Sequence, residues 1–128
     1  MKRAIILVYI LVFTLAIFNT AFAATLEDPV FDMIISTFNS QGVISFNIYT
    51  SYTVDSITLS SCVLQKKVNN NWVAVTSSYT LTDVYFEGDY WHANVDFSGS
   101  ITSGQYRVKF RPTADGHTIT RYSNSRTF

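Results

Sequence analysis

Cysteine, proline and glycine are all scarce in this 128-residue chain, which holds one Cys, two Pro and five Gly. With Cys62 alone, no disulfide can form within the chain, so stability has to come from packing. So little proline and glycine excludes collagen-like and low-complexity classes. Neither sign of charge is in excess, with 9 Lys+Arg against 9 Asp+Glu. That balance lacks the concentrated basic footprint a nucleic-acid partner requires. There is no G-x-S-x-G elbow, no Cys-His protease signature and no phosphate-cradling glycine loop. Nucleophilic catalysis and nucleotide binding therefore draw no support, and neither enzymatic activity nor a cofactor is expected.

The amino terminus has a recognisable order. Met1-Lys2-Arg3 precedes an apolar stretch from Ala4 to Phe18, followed by Ala21-Phe22-Ala23. Basic region, apolar core and A-x-A box together predict a helical signal peptide over 1–23, cleaved after Ala23, and a secreted, extracellular product. Fifteen helical residues reach about 22 Å, short of a hydrocarbon core of ~30 Å, so no stable membrane span is expected after cleavage. Loss of Lys2 and Arg3 leaves 7 basic and 9 acidic residues. Residues 24–30 read as a short acidic leader and 31–128 as one domain.

That domain is rich in Val, Ile, Thr, Tyr and Phe, in short runs broken every eight to twelve residues by Gly, Asn, Asp or Ser. No helical period appears, and the reading is all-β. Strands are predicted over Phe31–Phe38, Val43–Tyr49, Ile57–Val68, Trp72–Thr80, Tyr90–Phe97, Gln105–Arg111 and His117–Phe128. Ile44, Phe46 and Ile48 keep one parity, as do Trp91, Ala93, Val95 and Phe97, and Tyr106, Val108 and Phe110. Each set marks a buried face. In Ile57–Val68 the parity changes, which predicts a bulge or an edge switch near Cys62. Asn69-Asn70-Asn71 and Asp115-Gly116 are hairpin turns. Thr82 to Asp89 reads as irregular and acidic, and Pro112 as a strand stop. About seven strands with one-sided burial predict an antiparallel β-sandwich, with a small barrel as the alternative.

Val63-Leu64-Gln65-Lys66-Lys67, then Trp72 past an Asn turn, then Gly104-Gln105-Tyr106-Arg107-Val108-Lys109 before a final hairpin, form a pattern. It resembles a family of small secreted proteins of Gram-positive bacteria with no assigned function, in which a signal peptide precedes one immunoglobulin-like sandwich. The resemblance implies an immunoglobulin-like fold and export, with no activity attached. It also implies that Tyr106 opens the penultimate strand, where such sandwiches use a tyrosine to hydrogen-bond back across a corner. The chain departs from the family in its Asn-Asn-Asn turn and in the acidic, aromatic segment 83–89.

Glu87, Asp89 and His92 fall within six residues, and carboxylates with an imidazole can hold a metal or share a proton. Their spacing matches no defined ligand set, so with Tyr90 they are carried as ligand-binding candidates. Arg107, Lys109 and Arg111 form an outward basic row that Lys66, Lys67 or Arg121 can join. Such a row either keeps a sheet soluble or meets an anionic polymer. Tyr49, Tyr52, Tyr79, Tyr85 and Tyr90 include outward aromatics suited to a partner. Export, fold and exposed aromatics predict a secreted non-enzymatic binding module for a cell-surface protein, an envelope polymer or a glycan. The alternative is a bacteriocin-like or toxin-like effector acting on a neighbouring envelope, with a hydrolase built on Glu87, Asp89 or His92 third.

Overall fold

Burial of alternate side chains organises the chain into two sheets. The computed structural model describes residues 28–128. The expected signal peptide and residues 24–27 of the leader lie outside the described residues. The strands are β1 (Phe31–Phe38), β2 (Val43–Thr50), β3 (Ile57–Val68), β4 (Asn71–Thr76), β5 (Thr82–Glu87), β6 (Tyr90–Asp96), β7 (Gln105–Ala114), β8 (His117–Thr118), β9 (Arg121–Tyr122) and β10 (Arg126–Thr127). A 3-10 turn, Ser98–Ser100, leads from β6 towards β7.

Sheet I has the order β1-β2-β6-β5 and sheet II the order β10-β7-β3-β4, with β8 and β9 also pairing β7. Every pairing is antiparallel. This is the immunoglobulin arrangement, with β1, β2, β6 and β5 in the places of strands A, B, E and D, and β10, β7 and β3 in those of G, F and C. β4 adds an edge strand beyond β3. Ile44, Phe46 and Ile48 of β2 meet Trp91, Ala93 and Val95 of β6 on the inner side of sheet I, and Cys62, Leu64, Tyr106, Val108 and Phe110 face them from sheet II. The Phe46 ring meets Phe110 edge-on at 4.8 Å across the layers.

Local chemistry fixes the turns. Asn39 Oδ1 accepts the N–H groups of Gln41 (2.9 Å) and Val43 (3.1 Å). Gly42 follows at φ +81°, where an added Cβ would lie 2.9 Å from Ile101 Cδ1 and 3.1 Å from Ser98 Cα. Asn69 (φ 52°) and Asn70 (φ 66°) supply the left-handed pair of the β3–β4 hairpin, a conformation asparagine tolerates better than most residues. Asp115 (φ 50°) and Gly116 (φ 71°) do the same between β7 and β8.

The expected bulge in β3 lies between Leu59 and Ser61. Ser60 is the extra residue, and it switches inward parity from Ile57 and Leu59 to Cys62 and Leu64. At the corner before β7, the buried Tyr106 hydroxyl accepts the Thr102 N–H at 3.1 Å and pairs with Thr102 Oγ1 at 3.1 Å, in the manner of a tyrosine corner.

Four readings need correction. Residues 82–87 are strand β5 rather than an irregular segment, paired with β6 through the Gly88-Asp89 turn. The second arm of the β3–β4 hairpin ends at Thr76, not Thr80. Pro112 does not end β7: it is buried opposite Leu59, where β3 bulges, and the strand runs on to Ala114. Its carbonyl accepts the Ile119 N–H at 3.2 Å, so its missing donor faces the gap between β8 and β9, where no ladder partner is needed. Lastly, residues 117–128 form three two-residue strands instead of one. Side chains take over the ladder between them. Ser123 Oγ accepts the Val108 N–H at 2.8 Å, and Asn124 bonds both the N–H (2.9 Å) and the C=O (3.0 Å) of Phe38 on β1, tying the two sheets together.

Residues 28–30 are also tied into the domain. Val30 is buried, and Asp28 Oδ1 accepts the N–H groups of Val30 (2.9 Å) and Phe31 (2.8 Å) while Oδ2 meets His117 Nε2 at 2.9 Å. Burial alone would raise the Asp28 carboxyl, but those backbone donors and His117 outweigh it and hold it below its ordinary value.

Candidate functional site

Registration of the four strands of sheet I brings most of the sequence candidates onto its outer face. One row across the sheet is Met33 (β1), Tyr49 (β2), Tyr90 (β6) and Glu87 (β5); the next is Ile35, Asn47, His92 and Tyr85. In β2 and β6 these residues point outward because they alternate with the core residues, and the β1 and β5 members share that face because they are paired with them. The Tyr49 and Tyr90 rings lie 4.8 Å apart and those of Tyr85 and Tyr90 6.0 Å apart, so three adjacent strands present one tyrosine cluster. Met33 (46%), Ile35 (43%) and Tyr85 (51%) are its exposed apolar members, which gives the face an accessible apolar border on both sides.

Asn47 is the polar centre of this face. Its Oδ1 accepts from the Tyr90 hydroxyl at 2.6 Å and lies 3.0 Å from His92 Nδ1. With Oδ1 as acceptor, the imidazole donates through Nδ1 and leaves Nε2 for a partner. At the sheet edge the Tyr85 hydroxyl donates to Glu87 Oε2 at 2.6 Å, and this bond to a carboxylate raises the phenol above its ordinary range. Tyr90, His92 and Glu87 are thus brought together around tyrosines. Asp89 stands apart in the β5–β6 turn, exposed, with its carbonyl accepting the Thr50 N–H at 2.9 Å. Among the described residues, no group of three or more His, Cys, Asp or Glu side chains is placed to hold a metal ion. Of the other tyrosines, Tyr79 turns inward to donate to the Leu59 carbonyl at 2.8 Å, and Tyr52 donates to Asp115 beside the β7–β8 turn.

A second constellation, on the outer face of sheet II, went unseen in the sequence. The Arg107 guanidinium stacks 4.4 Å from the Trp72 ring centroid and 4.2 Å from that of Tyr122, with Lys67 Nζ 5.8 Å from Trp72. Arg107 Nε donates to Gln65 Oε1 at 2.8 Å. The outward parity of Arg107 was readable. Its meeting with β4 and β9 depends on cross-strand register, which no local pattern encodes.

Cys62 is 1% exposed, and burial pushes its thiol up to about 12. It packs as a small apolar side chain, with no thiolate available at neutral pH. Comparison with known protein families and with curated proteins finds no match for this chain.

Proposed function

We propose that the chain is an exported, non-enzymatic interaction module that docks a cell-surface protein through the outer face of sheet I. The observation that carries this reading is the pair of rows Met33-Tyr49-Tyr90-Glu87 and Ile35-Asn47-His92-Tyr85. Tyrosine and methionine with one aliphatic neighbour, few charges and a polar centre match the composition of protein interfaces, where aromatics and Met are enriched and charged residues depleted. An exposed aliphatic border suits a protein partner better than a sugar, which stacks on rings but gains little from Met33 or Ile35. Export rests on the leader pattern in residues 1–23. Glu87 is bonded to the Tyr85 phenol and His92 to the Asn47 amide, and neither bonds a serine, threonine or cysteine, which favours contact over nucleophilic chemistry on this face.

Fluorescently labelled protein and intact cells of the producing organism test the reading. Saturable binding is expected, abolished by prior protease shaving of the cell surface and weakened at least tenfold by Tyr85→Ser combined with Ile35→Ser. Unchanged binding after shaving, or in the double variant, contradicts it.

A further inference from the structure

Charge in this sandwich is divided by sheet. The strands of sheet II carry Lys66, Lys67, Arg107, Lys109, Arg111, Arg121 and Arg126 and no Asp or Glu, whereas those of sheet I carry Asp32, Asp83, Glu87 and Asp96 and no Lys or Arg. The one ion pair among the described residues joins His117 to Asp28, so none of these lysines and arginines is neutralised by a carboxylate. A solubilising surface ordinarily intersperses the two signs. Register places four of the seven, Lys67, Arg107, Lys109 and Arg111, on the outer face with no carboxylate among them, at a cost in mutual repulsion that an anion would relieve, whereas Lys66 and Arg126 lie opposite Tyr106 and Arg121 opposite Phe110.

Arg107 shows how the face is prepared. Trp72 and Tyr122 reach it from strands on opposite sides of β7, both ring centroids lie within 4.4 Å of the guanidinium carbon, and Nε is taken by Gln65. The terminal nitrogens have no acceptor among the described residues, and they are the edge that binds an oxoanion in bidentate fashion. Stacking holds a side chain that would otherwise lose rotamer freedom on binding. Lys109 and Arg111 continue the row along β7, each about 6.7 Å further on, and Lys67 lies beside Trp72. Tyr122 remains 48% exposed, so part of it is free to pack against a ring.

We infer that the outer face of sheet II binds a linear acidic polysaccharide, with Arg107, Lys109, Arg111 and Lys67 meeting its anionic groups and Tyr122 a sugar ring. A straight row of cations on one strand fits an extended polymer better than a compact anion. The described residues contain 7 Lys and Arg against 8 Asp and Glu. That excess of carboxylates disfavours the dense charge of nucleic acid, while a polymer of sparser charge meets mainly the local row. The inference is independent of the tyrosine face on sheet I.

Fluorescence anisotropy with labelled polygalacturonate tests it, with neutral dextran and a single-stranded oligonucleotide as comparisons. The purified exported protein is expected to bind polygalacturonate saturably at low salt, to lose at least tenfold in affinity between about 50 and about 200 mM NaCl, and to ignore dextran. Arg107→Lys keeps the charge but loses the planar fork, and is expected to weaken binding about fivefold. Lys109→Ala combined with Arg111→Ala should weaken it further, with circular dichroism of all variants superimposable on that of the parent. The inference is overturned if polygalacturonate does not bind at low salt, if dextran binds equally, if Arg107→Lys matches the parent, or if the oligonucleotide binds more tightly than polygalacturonate.

Discussion

Replacing Tyr106 with phenylalanine isolates the corner hydrogen bonds from the packing around them. The ring stays, with its edge contact to Phe128 at 5.8 Å and the Lys66 ammonium 5.6 Å from its centroid. What goes is the hydroxyl that accepts the Thr102 N–H and pairs with Thr102 Oγ1, both at 3.1 Å. A net hydrogen bond contributes about 1 kcal/mol, and a buried donor left without its acceptor costs about 1–3 kcal/mol. Thr102 is itself exposed, so water can serve its N–H in the variant. The expected loss is therefore about 1–2 kcal/mol. For a domain near 100 residues that lowers Tm by about 5–15 °C. Urea unfolding followed by tryptophan fluorescence should show a lower midpoint with an unchanged slope, because the surface exposed on unfolding hardly changes. A variant within about 0.3 kcal/mol of the parent would refute the argument that this hydroxyl fastens the β6–β7 corner.

Gly42, Cys62 and Asp28 give further outcomes that can be measured. Gly42→Ala forces a Cβ into the left-handed region and against the Ser98 backbone, so a loss of about 2–3 kcal/mol is expected in thermal melts, whereas Gly99→Ala, with nothing within 4 Å, should stay within about 0.5 kcal/mol. Cys62 should resist iodoacetamide at pH 8 in buffer and react once urea unfolds the chain; equal labelling in both would contradict its burial. Because its folded thiol titrates near 12 and the unfolded one near 9, stability should be unaffected by this group below about pH 8 and fall as pH rises past 9. Asp28 has the opposite sign: its carboxyl is held low in the fold, so its contribution is present above about pH 4 and lost as pH falls further. Asp28→Asn should flatten that acid limb and cost about 1–2 kcal/mol at pH 7, read from urea midpoints across pH.

The contrast between β6 and β5 shows which parts of the fold were legible. In β6, Trp91, Ala93 and Val95 alternate with half-buried polar residues, and period two is the physical consequence of having one wet side and one dry. All six side chains of β5 are exposed at the sheet edge, so no burial pattern is written into them. Its one readable signal was the Gly88-Asp89 pair between Glu87 and Tyr90, a composition that suits a two-residue hairpin turn. Pro112 misled because its effect depends on which neighbour its missing N–H would face, and that is set by the break between β8 and β9. The same holds for the faces. Glu87, Tyr90 and His92 were visible as candidates because they are close in sequence, while Asn47, Met33 and Ile35 join them only through register. The Trp72–Arg107–Tyr122 stack draws on three strands and was invisible for that reason.

The most direct test of the interaction role is site-specific photo-crosslinking on intact producer cells, with a benzophenone side chain placed at position 35 on sheet I or at position 109 on sheet II. A discrete protein adduct is expected from position 35 and none from position 109. Protein adducts of equal yield from both positions, or from position 109 alone, would contradict it.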